Sequence, residues 1–246
     1  MTFDAPGTDT VIVRNLDLGI LSLMGAITDA TTGNPIPEVR VEVTDVAANL
    51  RAVVNDVTNG TGEIRARISD RSPGDTLVYR VSLKKKGYLP KKGLFLFTVQ
   101  HMTEIDMREV MEKDFFQLEP MTIGVELGAA ISINPIYFDL GKWKIRPDAA
   151  VELDKMVAIM NENPTMEIEL GSHTDSRGGD KANMDLSDKR AKSSAAYIIS
   201  KGIAKERIKG KGYGETKLLN GCGNASKCKE EEHQRNRRTE FIITKM

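Results

Sequence analysis

The chain has 246 residues, enough for one large domain or two ordinary ones, each able to bury its own core. Its 35 basic and 35 acidic residues cancel, so no global field recruits nucleic acid or anionic lipid. Apolar residues make up 40% and charged residues 28%, an ordinary globular balance, and no apolar run approaches the roughly 20 residues of a membrane-spanning helix.

The first fifteen residues lack the basic and apolar stretches of a signal peptide, which leaves either a cytosolic chain or a piece of an exported one. Residues 18–118 read as β. LSLMGAIT at 21–28 and the alternating VRVEVT at 39–44 are short strands separated by the turn formers of DATTGNPIP. NGTG at 59–62 turns the chain into EIRARI at 63–68, and SPGD at 72–75 leads into a strand over 76–83. Strands at such spacing, with no helix signal until after Lys92, predict a small all-β sandwich. Lys84, Lys85, Lys86, Lys91 and Lys92 form the one basic cluster, read as a solvated hairpin rather than a contact for an anionic polymer.

From about Pro120 the pattern changes, and a second domain is expected over 119–246. IYFD at 136–139 reads as a strand. Pro147 sits where a first helical turn takes proline, and Leu153, Met156, Val157 and Met160 keep helical spacing until Asn163 and Pro164 stop it. A strand follows at 166–170. Ser187 is the expected N-cap of a helix running to Lys201, where Gly202 ends it. Strands are expected again at 208–213 and 239–244. The order β-α-β-α-β-β predicts a two-layer α/β sandwich with helices on one sheet. Between the last two strands, Cys222 and Cys228 lie six apart in a small-residue loop, with no second pair or clustered histidines to complete a zinc site. Thiols so close predict a local disulfide in an oxidising compartment, worth ~2–3 kcal/mol by loop entropy, and hence an exported fragment.

The chemistry concentrates in GSHTDSRGGDKANMDLSDKR at 171–190. Asp175 lies in a glycine-rich turn, and Arg190 is expected in the first turn of the helix capped by Ser187. An arginine is unfavourable at the positive end of a helix dipole, and local rules are broken most often at functional sites. Together the two side chains suit a small zwitterion, ammonium against carboxylate and carboxylate against the guanidinium fork. A surface Asp–Arg ion pair without function would leave the same trace. Other patterns carry less. His173 reads as a strand-end packing residue rather than a base, and His101 and His233 fall in unrelated segments. GKGYG at 210–214 lacks the following helix of a dinucleotide loop. Asp175, Asp180 and Asp185 have no nucleophile or oxyanion donor beside them. Met156, Met160 and Met184 read as core. No metal, cofactor or catalytic residue is therefore expected.

GSHTD at 171–175, Gly178, Asn183, Leu186, Ser187, Arg190, Ala191, Tyr197, Gly202, Arg207, GYGE at 212–215 and NRR at 236–238 resemble the signature of OmpA-like C-terminal domains, and YFD at 137–139 resembles that family's opening strand. The resemblance covers about residues 122–246. It implies non-covalent binding of peptidoglycan through the diaminopimelate of the stem peptide. By position, Asp175 would hold the diaminopimelate amine and Arg190 its carboxylate. Thr174, Asn183 and Leu186 would line the pocket and Arg237 would support it. The loop over 221–233 is longer than the family's simplest form, and its cysteines are not part of the general signature. Residues 20–100 resemble a carboxypeptidase-regulatory-like (transthyretin-like) β-sandwich, through GAITD at 25–29, TGNPI at 32–36, NGTG at 59–62 and KGY at 86–88. Such modules are usually connectors, and no site is expected there.

The resulting expectation is a non-enzymatic, periplasmic wall anchor of an outer-membrane or envelope complex, with peptidoglycan and other envelope subunits as partners and no nucleic acid. The main alternative is a protein–protein assembly module of an envelope complex that does not bind peptidoglycan. An enzyme acting on the wall would need a metal, a nucleophile or a paired acid and base.

Overall fold

The computed structural model describes residues 21–69, 71–100, 104–224 and 227–246. The opening segment read for an export signal, the first residues of the 18–118 domain and His101 lie outside the described residues. The chain divides into two compact units, one ending at Pro120 and the other beginning at Met121. The first unit keeps residues 119 and 120 because Leu89 N–H donates to the Glu119 carbonyl and Tyr88 bridges to Pro120.

In the N-terminal unit, β1 (Leu21–Ala26) pairs antiparallel with β5 (Glu63–Ile68) and parallel with β8 (Glu104–Asp106). A second sheet has the order β4 (Arg51–Val57), β3 (Arg40–Asp45), β6 (Thr76–Lys84), β7 (Lys91–Thr98), antiparallel throughout. β2 (Thr28–Asp29) and β9 (Gln117–Leu118) form a short parallel pair, and α1 (Met107–Val110) follows β8. Period-two alternation turns every second side chain inward. Leu23, Ile64 and Ile68 of one sheet thus join Val41, Val43, Tyr79, Val81 and Phe95 of the other in a single buried cluster. β4 was not expected, because it buries only Val54 and so lacks alternation. The lysine cluster flanks the β6–β7 turn, where Lys84 pairs with Glu42 at 3.3 Å and Lys85 with Glu38 at 3.2 Å.

The C-terminal unit runs α2 (Leu127–Ala130), α3 (Pro147–Glu162), β10 (Glu167–His173), α4 (Asp180–Ser200), β11 (Ile208–Gly214), α5 (Glu230–Asn236) and β12 (Thr239–Lys245). Its sheet has the order β11-β10-β12, with β11 parallel and β12 antiparallel to the centre. α4 is the β10-to-β11 crossover and packs across both strands. Pro147 opens α3, and Leu153, Met156 and Met160 are fully buried on its inner face. Arg207 closes that helix end, donating to the carbonyls of Met160 and Asn163 at 2.7 Å each.

Four expectations fail here. Residues 136–139 form no strand: the Asp139 carbonyl accepts from Lys142 N–H at 3.0 Å and from Arg190 at 3.3 Å instead of entering a ladder. The unit therefore lacks the opening strand of the β-α-β-α-β-β order and gains α2 and α5. Ser187 is no N-cap, because α4 begins seven residues earlier behind Gly179. Gly178, at φ +107°, takes the turn that only glycine adopts cheaply, and no breaker interrupts DKANMDL after it. Ser187 is instead fully buried, donating to Met184 O at 2.9 Å and accepting from Gly214 N–H at 2.8 Å. Met184 is not core but 38% exposed.

Candidate functional site

β10, the turn after it, the start of α4, residues 136–141 and α5 enclose a cleft of about 460 Å³. Asp175, Arg190, Thr174, Asn183, Leu186 and Arg237 all line it. The fold brings them together from three elements: the β10 exit supplies Thr174 and Asp175, one face of α4 supplies Asn183, Leu186 and Arg190, and Arg237 follows α5.

Asp175 is held tightly. Its Oδ1 accepts from Arg177 N–H at 3.0 Å, an Asx turn. Its Oδ2 accepts from Arg177 Nη2 at 2.7 Å, from Arg177 Nε at 3.2 Å and from Arg237 Nη1. Burial pushes the Asp175 carboxyl up, but the hydrogen bonds from Arg177 and Arg237 together outweigh it and hold the group below the usual carboxylate range. Both guanidiniums also reach Glu230, Arg177 Nη1 at 2.8 Å, and Arg237 adds Gln234. The carboxylates and guanidiniums thus alternate around a ring of four: Asp175, Arg177, Glu230, Arg237.

Arg190 stands apart from that ring. It lies ten residues into α4, so the helix dipole does not explain it and the first-turn placement is corrected. Its Nε donates to the Lys142 carbonyl at 3.0 Å and its Nη2 to the Asp139 carbonyl at 3.3 Å. The guanidinium also sits 5.0 Å from the Phe138 ring centre. Among the described residues no carboxylate pairs with it, and burial lowers its affinity for a proton. A desolvated cation fixed by neutral acceptors keeps an unneutralised charge that suits an anion.

The remaining residues frame the pair. Thr174 N–H donates to Gly214 O at 2.9 Å, while its buried hydroxyl has no partner among the described residues. Asn183 Nδ2 donates to the carbonyls of Asp175 at 3.2 Å and Arg177 at 3.3 Å and to Glu215, bracing the turn. Leu186 is half-buried and gives the wall an apolar patch. Ser176 Oγ donates to the Cys222 carbonyl at 2.6 Å, tying the turn to the loop closed by the Cys222–Cys228 disulfide. Glu232 lies beside those two cysteines, but disulfide sulfurs offer no thiolate to a metal. His173 is stacked on Tyr213 at 5.0 Å with Nε2 3.1 Å from Glu240. Burial, then the Arg238 cation, depress its proton affinity well below the ordinary value, so the ring stays neutral at pH 7.

Arg177, Glu230 and Gln234 escaped the sequence reading. Arg177 was legible as an Asx-turn partner two residues after Asp175. Glu230 lies 53 positions from Arg177, and no local signal joins them.

Residues 137–235 match the OmpA family. The chain is 35% identical over 131 residues to the photosystem I P700 chlorophyll a apoprotein A2 of Gloeobacter violaceus, a match covering 52% of this chain and 14% of that protein. It is 34% identical over 109 residues to the peptidoglycan-associated lipoprotein of Buchnera aphidicola, covering 44% of this chain and 60% of the relative. Outer membrane protein P5 of Haemophilus influenzae is 33% identical over 89 residues, 36% of this chain and 25% of that protein. The chain thus spans less than two thirds of each of these relatives. The matched segment includes the helix that carries Arg190 and most of the cleft residues, with Arg237 just beyond it: the C-terminal unit of this chain contains an OmpA-like domain.

Proposed function

We propose that the C-terminal unit binds peptidoglycan without covalent chemistry, through the diaminopimelate end of the stem peptide, and so tethers an outer-membrane or other envelope assembly to the cell wall from the periplasm. The observation that carries this reading is Arg190, a buried guanidinium whose hydrogen bonds among the described residues go to backbone carbonyls, in the same cleft as the Asp175 carboxylate. A carboxylate and an ammonium on one carbon of the ligand would suit one cationic and one anionic side chain in the same cleft. Likeness to a peptidoglycan-associated lipoprotein supports the ligand class. The cleft's carboxylates, Asp175 and Glu230, are each held ionised by guanidiniums, which makes them acceptors for cations rather than proton shuttles; the site on this reading recognises and does not turn over. Two charge-assisted contacts of ~1.5–3 kcal/mol each, less the cost of ordering, give millimolar to micromolar binding of one stem peptide. A wall of repeated ligands turns that into a firm tether by avidity. The N-terminal unit, a transthyretin-like connector on this reading, carries no ligand site.

The test is a calorimetric titration of the chain with a stem peptide containing diaminopimelate, beside its lysine analogue. Saturable binding of the first alone, lost in both Asp175→Ala and Arg190→Ala with the fold intact, is expected. No binding by the folded chain would leave the protein–protein assembly module. That second reading is favoured by Leu94 and Leu96, which are 64% and 68% exposed on the edge strand β7.

A further inference from the structure

Asp175 already accepts from two guanidiniums. Its side chain is 8% exposed and is paired with Arg177, whose own side chain is 53% exposed. Arg177 Nε and Nη2 occupy Asp175 Oδ2 at 3.2 and 2.7 Å, and Arg237 Nη1 adds a third donor to the same oxygen. A carboxylate offers about four acceptor positions. Oδ1 accepts from Arg177 N–H alone, so an incoming ammonium that is to reach Oδ2 as well must displace a donor there.

Glu230 supplies the place for that donor to go. It lies on the first turn of α5, 60% exposed, and already accepts from Arg177 Nη1 at 2.8 Å and from Arg237 Nη2. Arg177 therefore spans two carboxylates, one buried and one exposed. Leaving Asp175 costs it no uncompensated charge, because Glu230 retains the guanidinium and its released nitrogens meet water. Arg237 stays on Asp175 throughout, fixed as well by Gln234.

We propose that Arg177 and Glu230 form an exchange pair that sets specificity for an ammonium-bearing ligand: Arg177 caps Asp175 in the empty cleft and swings onto Glu230 when the ligand's ammonium arrives. This rests on the wall-anchor reading above and adds two positioning residues to it. Binding then has a fixed order of importance. Arg190, with no carboxylate of its own among the described residues, takes the ligand's carboxylate directly, whereas the ammonium is admitted only in competition with Arg177. A cation arriving without a carboxylate has nothing to anchor it and does not displace the guanidinium.

The experiment compares two tripeptides on the whole chain by calorimetry: one ending in meso-diaminopimelate, the other in 2-aminopimelate, which keeps the side-chain carboxylate and lacks the ammonium. Arg177→Gln should tighten the first about two- to fivefold, the scale of one partly exposed ion pair. Glu230→Gln should weaken it by a similar factor, because Arg177 loses its second anionic acceptor and stays on Asp175. Neither variant should move the 2-aminopimelate peptide by as much as twofold, a selectivity that a general loosening of the turn would not produce. Equal changes for both peptides, or weaker binding of the diaminopimelate peptide by Arg177→Gln, would overturn the exchange while leaving the anchor reading in place. Failure of the wild-type chain to bind either peptide would overturn both.

Discussion

Arg190 and His173 show how one cleft sets two buried nitrogen groups to opposite tasks. Arg190 keeps its charge because a guanidinium holds its proton through any physiological pH, and burial only makes it hungrier for an anion. His173 gives up its charge because desolvation and the neighbouring Arg238 outweigh the pull of Glu240. Its folded proton affinity lies below the unfolded value of 6.5, so the unfolded chain binds the extra proton as pH falls. Stability from this group is therefore complete above about pH 6.5 and is lost downward from there toward the depressed folded value. Asp175, lowered from 3.8, adds its own loss only below that pH. His173→Phe keeps a flat ring against Tyr213 and removes the titration. Urea unfolding of the C-terminal unit, followed by the single tryptophan Trp143, should show wild type losing stability between pH 7 and pH 5 and the variant losing much less. Parallel losses in both proteins would place the titrating group elsewhere.

At the scale of elements, the seating of α4 on β11 decides where the site residues point. A Cβ at Gly212 would fall 2.3 Å from Asp188 N and 2.6 Å from Ser187 Oγ, which leaves room for a hydrogen only. GKGYG, which as a sequence faintly resembled a dinucleotide loop, is the strip on which the helix lies flat. The same helix presents Asn183, Leu186 and Arg190 to the cleft, so pushing it off the strand damages binding as well as stability. Gly212→Ala should cost ~3 kcal/mol, at the upper end for overpacking because the obstacle is backbone, and should weaken stem-peptide binding. Gly223→Ala, where the added methyl meets nothing within 4 Å, should stay within ~0.5 kcal/mol of wild type. Equal Trp143-reported midpoints for the two variants would remove this account of the glycine. Ser187 belongs to the same contact: read locally it is a capping residue, but in the fold it is the bolt between α4 and Gly214.

For the whole molecule, both cysteines lie in the C-terminal unit, between β11 and the helix that presents Glu230. Their bridge closes a short loop that also receives the Ser176 hydroxyl, so it stabilises the rim of the cleft rather than the fold at large. Reduction with dithiothreitol should lower the Trp143-reported melting midpoint by ~6–12 °C, the equivalent of ~2–3 kcal/mol in a unit of this size. The transition of the N-terminal unit, which has its own core and no cysteine, should not move. A coincident shift of both would mean that the two units unfold as one.

Alternation, turn formers and helical spacing are local, and what depends on them was legible from the residues alone: the strands at 39–44 and 63–68, the proline-led helix α3, the turn at Asp175 and the pairing of two nearby cysteines. Six of the residues that line the cleft were also legible, through the spacing of a known signature rather than through any contact visible in one dimension. Three things belonged to the tertiary structure. Residues 136–139 have the composition of a strand, but the Asp139 carbonyl was claimed by Arg190 from α4. Ser187 has the chemistry of a cap, but its hydroxyl was claimed by Gly214. Asp175 has the charge of an open acceptor, but Arg177 and Arg237 already crowd its Oδ2, with Glu230 as their common second partner. In each case a polar group has several partners of equal chemical merit, and only the folded chain decides which of them lies within hydrogen-bond distance.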